Sequence, residues 1–151
     1  MRTQQVECIV FRKHKTHVQY LLLKRIPKKG SFWQPPCGGV EKEDKSLIEA
    51  TYREVQEETG ITHDKIIRII EDVYRFTMNN DYLTGKESAP LKEYVLGVEV
   101  VPDVTVKLDC NIDVEHEEYR WIDFEGAIEL LKWDDNKEAF RALQRILATE
   151  Q

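Results

Sequence analysis

Three glutamates at helical spacing are the residues of this chain best suited to chemistry. Glu54, Glu57 and Glu58 stand three and four positions apart, so on an α-helix they share one face within an arc of about 100°. Like charges at this spacing destabilise an isolated helix by about tenths of a kcal/mol each. A divalent cation such as Mg²⁺ or Mn²⁺, which prefers oxygen ligands, would reverse that sign. The spacing therefore indicates a metal site, with a solvated acidic face as the plain alternative.

These glutamates belong to a longer pattern that runs from Gly38 to Ile61. Counted from Gly39, the order is glycine, five residues, a charged position, seven residues and then Arg-Glu-Val-x-Glu-Glu-x-Gly-Ile. This order resembles the Nudix box, and eight of its nine fixed positions match in one register. The exception is Lys45, where the family has glutamate.

The resemblance implies a fold class and a reaction. The implied fold is α+β and covers residues 1–151 as a single domain. It is a Nudix-type α/β/α sandwich with a mixed sheet, in which the box forms a loop–helix–loop. The implied activity is hydrolysis of a phosphoric anhydride bond in a compound linked to a nucleoside diphosphate, with Mg²⁺ or Mn²⁺ as cofactor. Metal is needed because phosphate oxygens repel an attacking water, and a divalent cation offsets their charge.

Carried over onto the matching positions, the resemblance also implies roles for individual residues. The expected metal ligands are Glu54, Glu57, Glu58, Glu115 and the backbone carbonyl of Gly38. The carboxylates considered for catalysis are Glu54, Glu57 and Glu115, and the general base is left open because geometry must decide it. Arg53 is expected to orient Glu57, with an ordinary surface ion pair as the alternative.

Lys45 is the one departure from the box, and it concerns the support of the box arginine. The missing family glutamate normally contacts that arginine, so a neighbouring carboxylate would have to replace it. The candidates are Glu41, Glu43, Glu49 and, by a slip of one residue, Asp44. Without such a replacement, the chain would be a nucleotide-binding module of Nudix fold with weak catalysis.

Glu115 opens a second segment, Glu-His-Glu-Glu-Tyr-Arg-Trp at residues 115–121. It resembles the Glu-His-x-x-Tyr-Arg/Lys-Trp segment of Nudix nucleotide pyrophosphatases, in which the glutamate is an extra metal ligand or base. Together with Phe-Trp-Gln at residues 32–34, it most resembles the dihydroneopterin triphosphate and dATP pyrophosphatase group. The expected substrate is therefore a nucleoside triphosphate, cleaved to a monophosphate and pyrophosphate. The dinucleoside tetraphosphate hydrolases share the segment and are the alternative, while the plain alternative for Glu115 is an acidic loop.

Residues outside these two segments are candidate substrate ligands. Arg25, or Lys24 beside it, ends a predicted strand and is suited to contact terminal phosphates. Trp33 is expected either to stack on a base or to fill the core beneath the box loop. Asn136 starts the last predicted helix, where we favour capping of the helix over contact with substrate. For Cys37, a small side chain lining the loop is favoured over a nucleophile.

Composition excludes several other classes of protein. The 151 residues, of which 41% are hydrophobic and 33% charged, are typical of a globular domain. No apolar run approaches the ~20 residues of a membrane span, and the N-terminal residues lack a signal-peptide pattern, so the expected location is cytoplasmic. The net charge of −6 argues against nucleic-acid and membrane partners, and the partner that the resemblance implies is a small-molecule nucleotide. A homodimer is left open. The three cysteines and four histidines form neither a disulfide framework nor a metal cluster by spacing.

Hydrophobic periodicity indicates the elements that position these residues. We predict strands over residues 6–12, 17–24, 94–101 and 119–123, the first two forming a hairpin, and a short extended segment over 32–36. Residues 66–77 are predicted to form one strand or a pair of strands. The box helix is predicted to begin after an N-cap at Ser46, with Glu49 three residues on, and to end at Gly60. Two amphipathic helices are predicted over 124–132 and 136–148. Residues 78–90 are predicted to form a long loop.

Overall fold

The structure is a computed structural model that describes residues 3–80 and 87–150. In this part of the chain the strands are β1 (Gln4–His14), β2 (His17–Arg25), β3 (Trp33–Gln34), β4 (Cys37–Gly39), β5 (Ile66–Asn80), β6 (Glu87–Val100) and β7 (His116–Ile122). The α-helices are α1 (Leu47–Thr59), α2 (Phe124–Leu130) and α3 (Asp134–Ala148), and two 3-10 turns cover Pro27–Lys29 and His63–Lys65. None of these helices is long and apolar enough to cross a bilayer.

The strands form one mixed sheet in the order β3-β2-β1-β6-β5, with β4 paired to β1 and β7 paired to β2. The predicted hairpin of β1 and β2 is confirmed, since Phe11 lies opposite Tyr20 and His14 opposite His17. β1 and β6 pair in parallel, and the other pairings are antiparallel. β1 is central, and residues 5–11 are buried on both of its faces, as expected for a strand covered on both sides.

Alternating residues of β1 and β2 enter two separate cores, one on each face of the sheet. Ile9 and Tyr20 pack with residues of α2 and α3 in the larger core. Val10 and Leu21 pack with residues of α1 in the other core. The sheet is therefore sandwiched between α1 on one face and α2 and α3 on the other, which confirms the predicted α/β/α layers of an α+β fold.

The box helix has the ends that the sequence predicts. The Ser46 hydroxyl caps α1 by accepting a hydrogen bond of 3.1 Å from the backbone N–H of Glu49. Gly60 ends the helix in the left-handed region, with φ of 74°, and its N–H donates to the carbonyl of Gln56. Between these ends, Ala50 and Val55 are buried in the core beneath the helix, so α1 is held against the sheet along its length.

Two expectations about the elements are wrong. The predicted loop over residues 78–90 is largely strand, because β5 continues to Asn80 and β6 begins at Glu87; residues 81–86 lie outside the described part. β5 is a single strand with three irregularities in its pairing with β6. Asn136 does not cap the last helix, which begins at Asp134 with Trp133 in the cap position. The error has a physical cause, since the Asn136 amide is used elsewhere, as described below.

Candidate active site and metal centre

Glu58, on the last turn of α1, contacts His116 at the start of β7. Both side chains are nearly inaccessible, with 5% and 2% of their surface exposed, and the Nδ1 of the histidine lies 2.9 Å from Oε2 of the glutamate. The Gln34 amide lies 3.0 Å from the other ring nitrogen. If the amide donates to Nε2, then Nδ1 carries the proton and donates to Glu58. Both ring nitrogens are thus engaged, and the histidine orients the carboxylate.

The neighbouring residue brings a second carboxylate to the same point. Ligand atoms of Glu58, Glu115 and His116 all lie within 4.8 Å of one another. The Glu115 side chain is only partly buried, and its Oε1 accepts a hydrogen bond of 3.2 Å from the ammonium of Lys29. The residue is anchored by its backbone, since its carbonyl accepts from the N–H of Ile26, just after β2. The sheet therefore brings together two carboxylates that are far apart in the sequence.

Glu54, one turn earlier on α1, lies against the backbone of β4. A Cβ added at Gly38 would collide with the carboxylate carbon and both carboxylate oxygens of Glu54. Only glycine therefore permits this close approach of side chain and backbone. Burial raises the pKa of Glu54 to about 7, against the opposing effect of the guanidinium of Arg53. A cation at this carboxylate would favour its ionised form.

Arg53 ties the helix to the loop before it. Its Nε and Nη2 donate to the two carboxylate oxygens of Asp44 over 3.1 and 2.8 Å, and Nη2 also donates to the carbonyl of Gly39 over 2.8 Å. Its Nη1 donates to Glu54 over 2.8 Å and to Glu57 over 3.3 Å. One guanidinium therefore fixes the glycine turn and two glutamates of α1 at once.

The arrangement fits a divalent cation. Glu58 and Glu115 converge at a spacing that ligands of one ion can span, and carboxylates are the donors that hard divalent ions prefer. The absence of a Cβ at Gly38 leaves Glu54 in contact with the β4 backbone beside them. An acidic cluster held in place by a histidine and an arginine has the construction of a metal site with oriented ligands.

Comparison with known proteins identifies the family. The protein-family model of the NUDIX domain matches residues 1–145 of the chain. The chain belongs to the Nudix family. Its relatives include the rat bis(5′-nucleosyl)-tetraphosphatase [asymmetrical], which is 30% identical over 85% of this Nudix chain and 84% of the rat protein. An octanoyltransferase of Myxococcus xanthus is 29% identical over 93% of this chain, which spans only 36% of that protein's length.

Solved structures agree on the Nudix fold. The crystal structure of a NUDIX hydrolase from Listeria monocytogenes, described as putative, superposes with a TM-score of 0.81 at 27% identity, over 99% of this chain and 97% of the Listeria chain. Nudix hydrolases act on phosphoric anhydride bonds, and the family generally uses a divalent metal. Both statements agree with the meeting of Glu58, on the last turn of α1, with Glu115.

The Nudix box of this chain contains its own replacement for the glutamate lost at Lys45. Of the carboxylates considered from the sequence, Asp44 binds Arg53 with both oxygens, and Glu41 approaches Nη1 at 3.4 Å. The backbone N–H of Glu41 also donates to Asp44 over 2.8 Å, which holds the loop. The predicted slip of one residue therefore describes the contact in the structure, and Lys45 itself is exposed.

The predicted site residues of the Nudix box are not all in one place. Glu58 and Glu115 come together, while Glu54 lies with Gly38 and Arg53. Glu57 contacts only the guanidinium in the described part, and 39% of its side chain is exposed.

The three predicted substrate ligands have different outcomes. Arg25 is 7% exposed, stacks over the ring of Phe32 at 5.5 Å, and its Nε has no partner among the described residues. Trp33 does not fill the core beneath the box loop, because it packs against the core on the opposite face, with Arg120 over its ring at 4.8 Å. Asn136 donates to Glu7 on β1. For Cys37, burial raises the pKa of the thiol, which opposes a nucleophilic role.

His116 and Gln34 are functional candidates that our interpretation of the sequence missed. The signal for His116 was its place directly after Glu115, but spacing alone did not connect it to Glu58. Their contact depends on the pairing of β7 with β2, where His116 lies opposite Arg25 after a shift in register.

A stability prediction follows from the Asp44–Arg53 pair. We expect Asp44→Asn to lower the free energy of unfolding at pH 7 by about 2 kcal/mol, because a charge-assisted bidentate pair is lost. The hydrogen bonds from Arg53 hold the pKa of Asp44 below its ordinary value of 3.8. The stabilisation is therefore present above pH 3.8 and is lost as the pH falls through the lower pKa of the folded state. Urea unfolding of both proteins between pH 7 and pH 2.5 measures this. A difference that does not shrink at low pH would contradict it.

Proposed function

We propose that this chain is a pyrophosphohydrolase dependent on Mg²⁺ or Mn²⁺. It converts a nucleoside triphosphate and water to a nucleoside monophosphate and pyrophosphate. The observation that carries the proposal is the meeting of Glu58 on α1 with Glu115 and with His116 on β7. Two carboxylates brought this close, one of them buried, repel each other, and a bound cation would offset that repulsion.

The proposed roles rest on the matching positions of the Nudix box and on the contacts of these residues. Glu54, Glu58, Glu115 and the Gly38 carbonyl hold the metal, with Glu57 as a further ligand. The metal supplies charge neutralisation at the phosphate oxygens and a more acidic attacking water. Glu54, Glu57 and Glu115 remain the candidates for the base that takes the proton from that water. Arg53 holds Glu54 and Glu57 in place, since it contacts both.

Arg25 is the proposed contact for the phosphates of the substrate. Its guanidinium is buried at the end of β2, directly opposite His116, and its Nε has no partner among the described residues. A buried guanidinium with a free donor is unfavourable by itself and gains a hydrogen bond when an anion binds. The net charge of −6 supports a small-molecule substrate rather than a nucleic acid.

Hydrolysis of a dinucleoside tetraphosphate is the second candidate. It is favoured by the rat relative, a bis(5′-nucleosyl)-tetraphosphatase with 30% identity. A weakly catalytic binding module is less well supported, because Asp44 provides the carboxylate for Arg53 that Lys45 cannot.

A hydrolysis panel with and without metal tests the proposal. We expect rapid turnover of a nucleoside triphosphate in Mg²⁺ or Mn²⁺ and a loss of at least about 10³-fold in EDTA, since the metal contributes several kcal/mol to the barrier. The panel includes dATP, the ribonucleoside triphosphates, dihydroneopterin triphosphate, diadenosine tetraphosphate and ADP-ribose. Pyrophosphate as product supports the proposal, and a nucleoside triphosphate released from diadenosine tetraphosphate supports the second candidate. Turnover that survives EDTA, or none on any compound, contradicts both.

A further inference from the structure

A small pocket lies beside the candidate metal site, on the other side of Gln34. Its volume is about 240 Å³, and its walls come from β1, β5, β6 and the start of α3. Phe76 and Trp133 provide flat apolar walls, while the polar lining includes Glu7, Glu93 and Asn136. The size is below the range of about 300–1,000 Å³ of pockets for whole drug-sized ligands. It suits one heterocycle rather than a complete nucleotide.

Two carboxyl groups and two amides face one another in this pocket. The Gln5 amide nitrogen donates to Glu93 over 3.2 Å, and the Asn136 amide nitrogen donates to Oε1 of Glu7. The amide donors are therefore directed at the carboxyl groups. The carboxyl group of Glu7 can still accept a hydrogen bond. Its Oε2 has no partner among the described residues, although Glu7 is only 2% exposed.

The unpartnered oxygen is the feature that points to a ligand. A buried polar atom without a hydrogen bond costs about 1–3 kcal/mol, which a bound donor would recover. Burial and the charge of Glu93 raise the pKa of Glu7 well above its ordinary value. A ligand that donates two hydrogen bonds would favour the ionised carboxylate, whereas a ligand edge with one donor and one acceptor would match the protonated group.

Gln34 connects the pocket to the metal site. It lines the pocket together with Cys37, and its amide lies 3.0 Å from His116, which in turn contacts Glu58. Cys37 immediately precedes Gly38, against which Glu54 packs. A heterocycle in the pocket would therefore have the phosphates attached to it directed toward the acidic groups.

We propose that the Glu7–Glu93 pocket binds the base of the substrate and selects an edge that carries a ring N–H and an exocyclic amino group, as guanine does. Two adjacent donors match the pair of oxygens of a single carboxylate. Adenine offers an acceptor ring nitrogen beside its amino group, and hypoxanthine lacks the amino group. The inference rests on the proposed function in that it names the substrate class of the same site.

Equilibrium binding of nucleoside monophosphates tests the pocket separately from catalysis. Calorimetric titration of the metal-free protein with GMP, IMP and AMP is expected to give GMP the tightest binding, by about 10- to 100-fold over AMP, with IMP between them. In Glu7→Gln, which replaces one carboxylate oxygen by an amide nitrogen, the preference for GMP over AMP should fall to about threefold or less. Glu138→Gln, on the exposed face of α3, is the control and should keep the wild-type ratio.

Binding of GMP, IMP and AMP to the wild-type protein tests the inference even if Glu7→Gln fails to fold. Equal binding of GMP and AMP, tighter binding of AMP, or no binding of any of the three overturns the inference. A parallel assay of GTP, ITP and ATP hydrolysis separates the two proposals. Hydrolysis without a preference for guanine sinks the inference and leaves the proposed function intact. Selective GMP binding without hydrolysis of any triphosphate supports the inference and sinks the proposed function.

Discussion

Glu58→Gln is expected to lower kcat for triphosphate hydrolysis by about 10³-fold, with little change in fold. The glutamine keeps the shape of the side chain and can still accept a hydrogen bond from His116, so the packing of α1 should survive. What it removes is one negative charge from the group that we propose holds the metal, and metal-dependent stabilisation of the transition state is worth several kcal/mol. Steady-state kinetics at saturating Mg²⁺ measures the effect, and a Mg²⁺ titration separates weaker metal binding from slower turnover.

Glu49→Gln is the matched control for that experiment. Glu49 lies on the first turn of the same helix, and its side chain is exposed and makes no hydrogen bond or ion pair with the described residues, while its backbone N–H donates to the Ser46 cap. It should therefore keep wild-type kcat within about twofold, since exposed substitutions are usually almost neutral. Equal losses in the two variants would show that lost helix stability, and not a lost ligand, explains the effect at position 58. An active Glu58→Gln would remove Glu58 from the metal site.

Arg53→Lys is expected to damage both stability and activity. A lysine carries the same charge but cannot bind both oxygens of Asp44 and the Gly39 carbonyl at once. Breaking this partly buried network should lower the free energy of unfolding by about 2–3 kcal/mol. Activity should fall by about 10- to 100-fold, as is typical when a group that orients metal ligands is lost. Urea unfolding and steady-state kinetics measure the two effects.

Arg141→Lys is the control that separates the loss of the Arg53 network from the general effect of replacing an arginine by lysine. Arg141 is on α3, half-exposed, and pairs with Glu138 at i,i+3. An exposed pair of this kind contributes about 0–1 kcal/mol, so this variant should unfold almost as the wild type does and keep its kcat. If Arg53→Lys behaves in the same way, then Arg53 is an ordinary surface residue and does not position Glu54 or Glu57.

Some features of the chain were predictable because they depend on residues that are neighbours in the sequence. The cap at Ser46, the end at Gly60 and the hairpin of β1 and β2 each follow from short-range rules of spacing and backbone conformation. Asp44 was among the candidates for the support of Arg53 for the same reason, since it lies in the loop that leads into α1. Only geometry could choose it over Glu41, Glu43 and Glu49.

The features that were missed depend on strands that are distant in sequence. Glu7 stands in an apolar strand, and nothing local shows that parallel pairing of β1 with β6 places Gln5 opposite Glu93. Asn136 has the side chain of a good helix cap, but its amide contacts Glu7 instead, so a tertiary contact overrides the local preference. His116 was missed for the same reason, because its partner Glu58 lies on α1, far from β7 in the sequence.

The close approach of Gly38 to Glu54 has a consequence for how relatives of this chain are compared. Since any Cβ at position 38 would collide with that carboxylate, a homologue can retain every acidic residue of the box and still have lost its active conformation. Surveys that classify such homologues as active by counting glutamates would therefore include inactive ones. A glycine at position 38 is therefore as informative a marker of activity as the glutamates. The glutamates show that the charge is present, and the glycine shows that the backbone leaves room for the carboxylate.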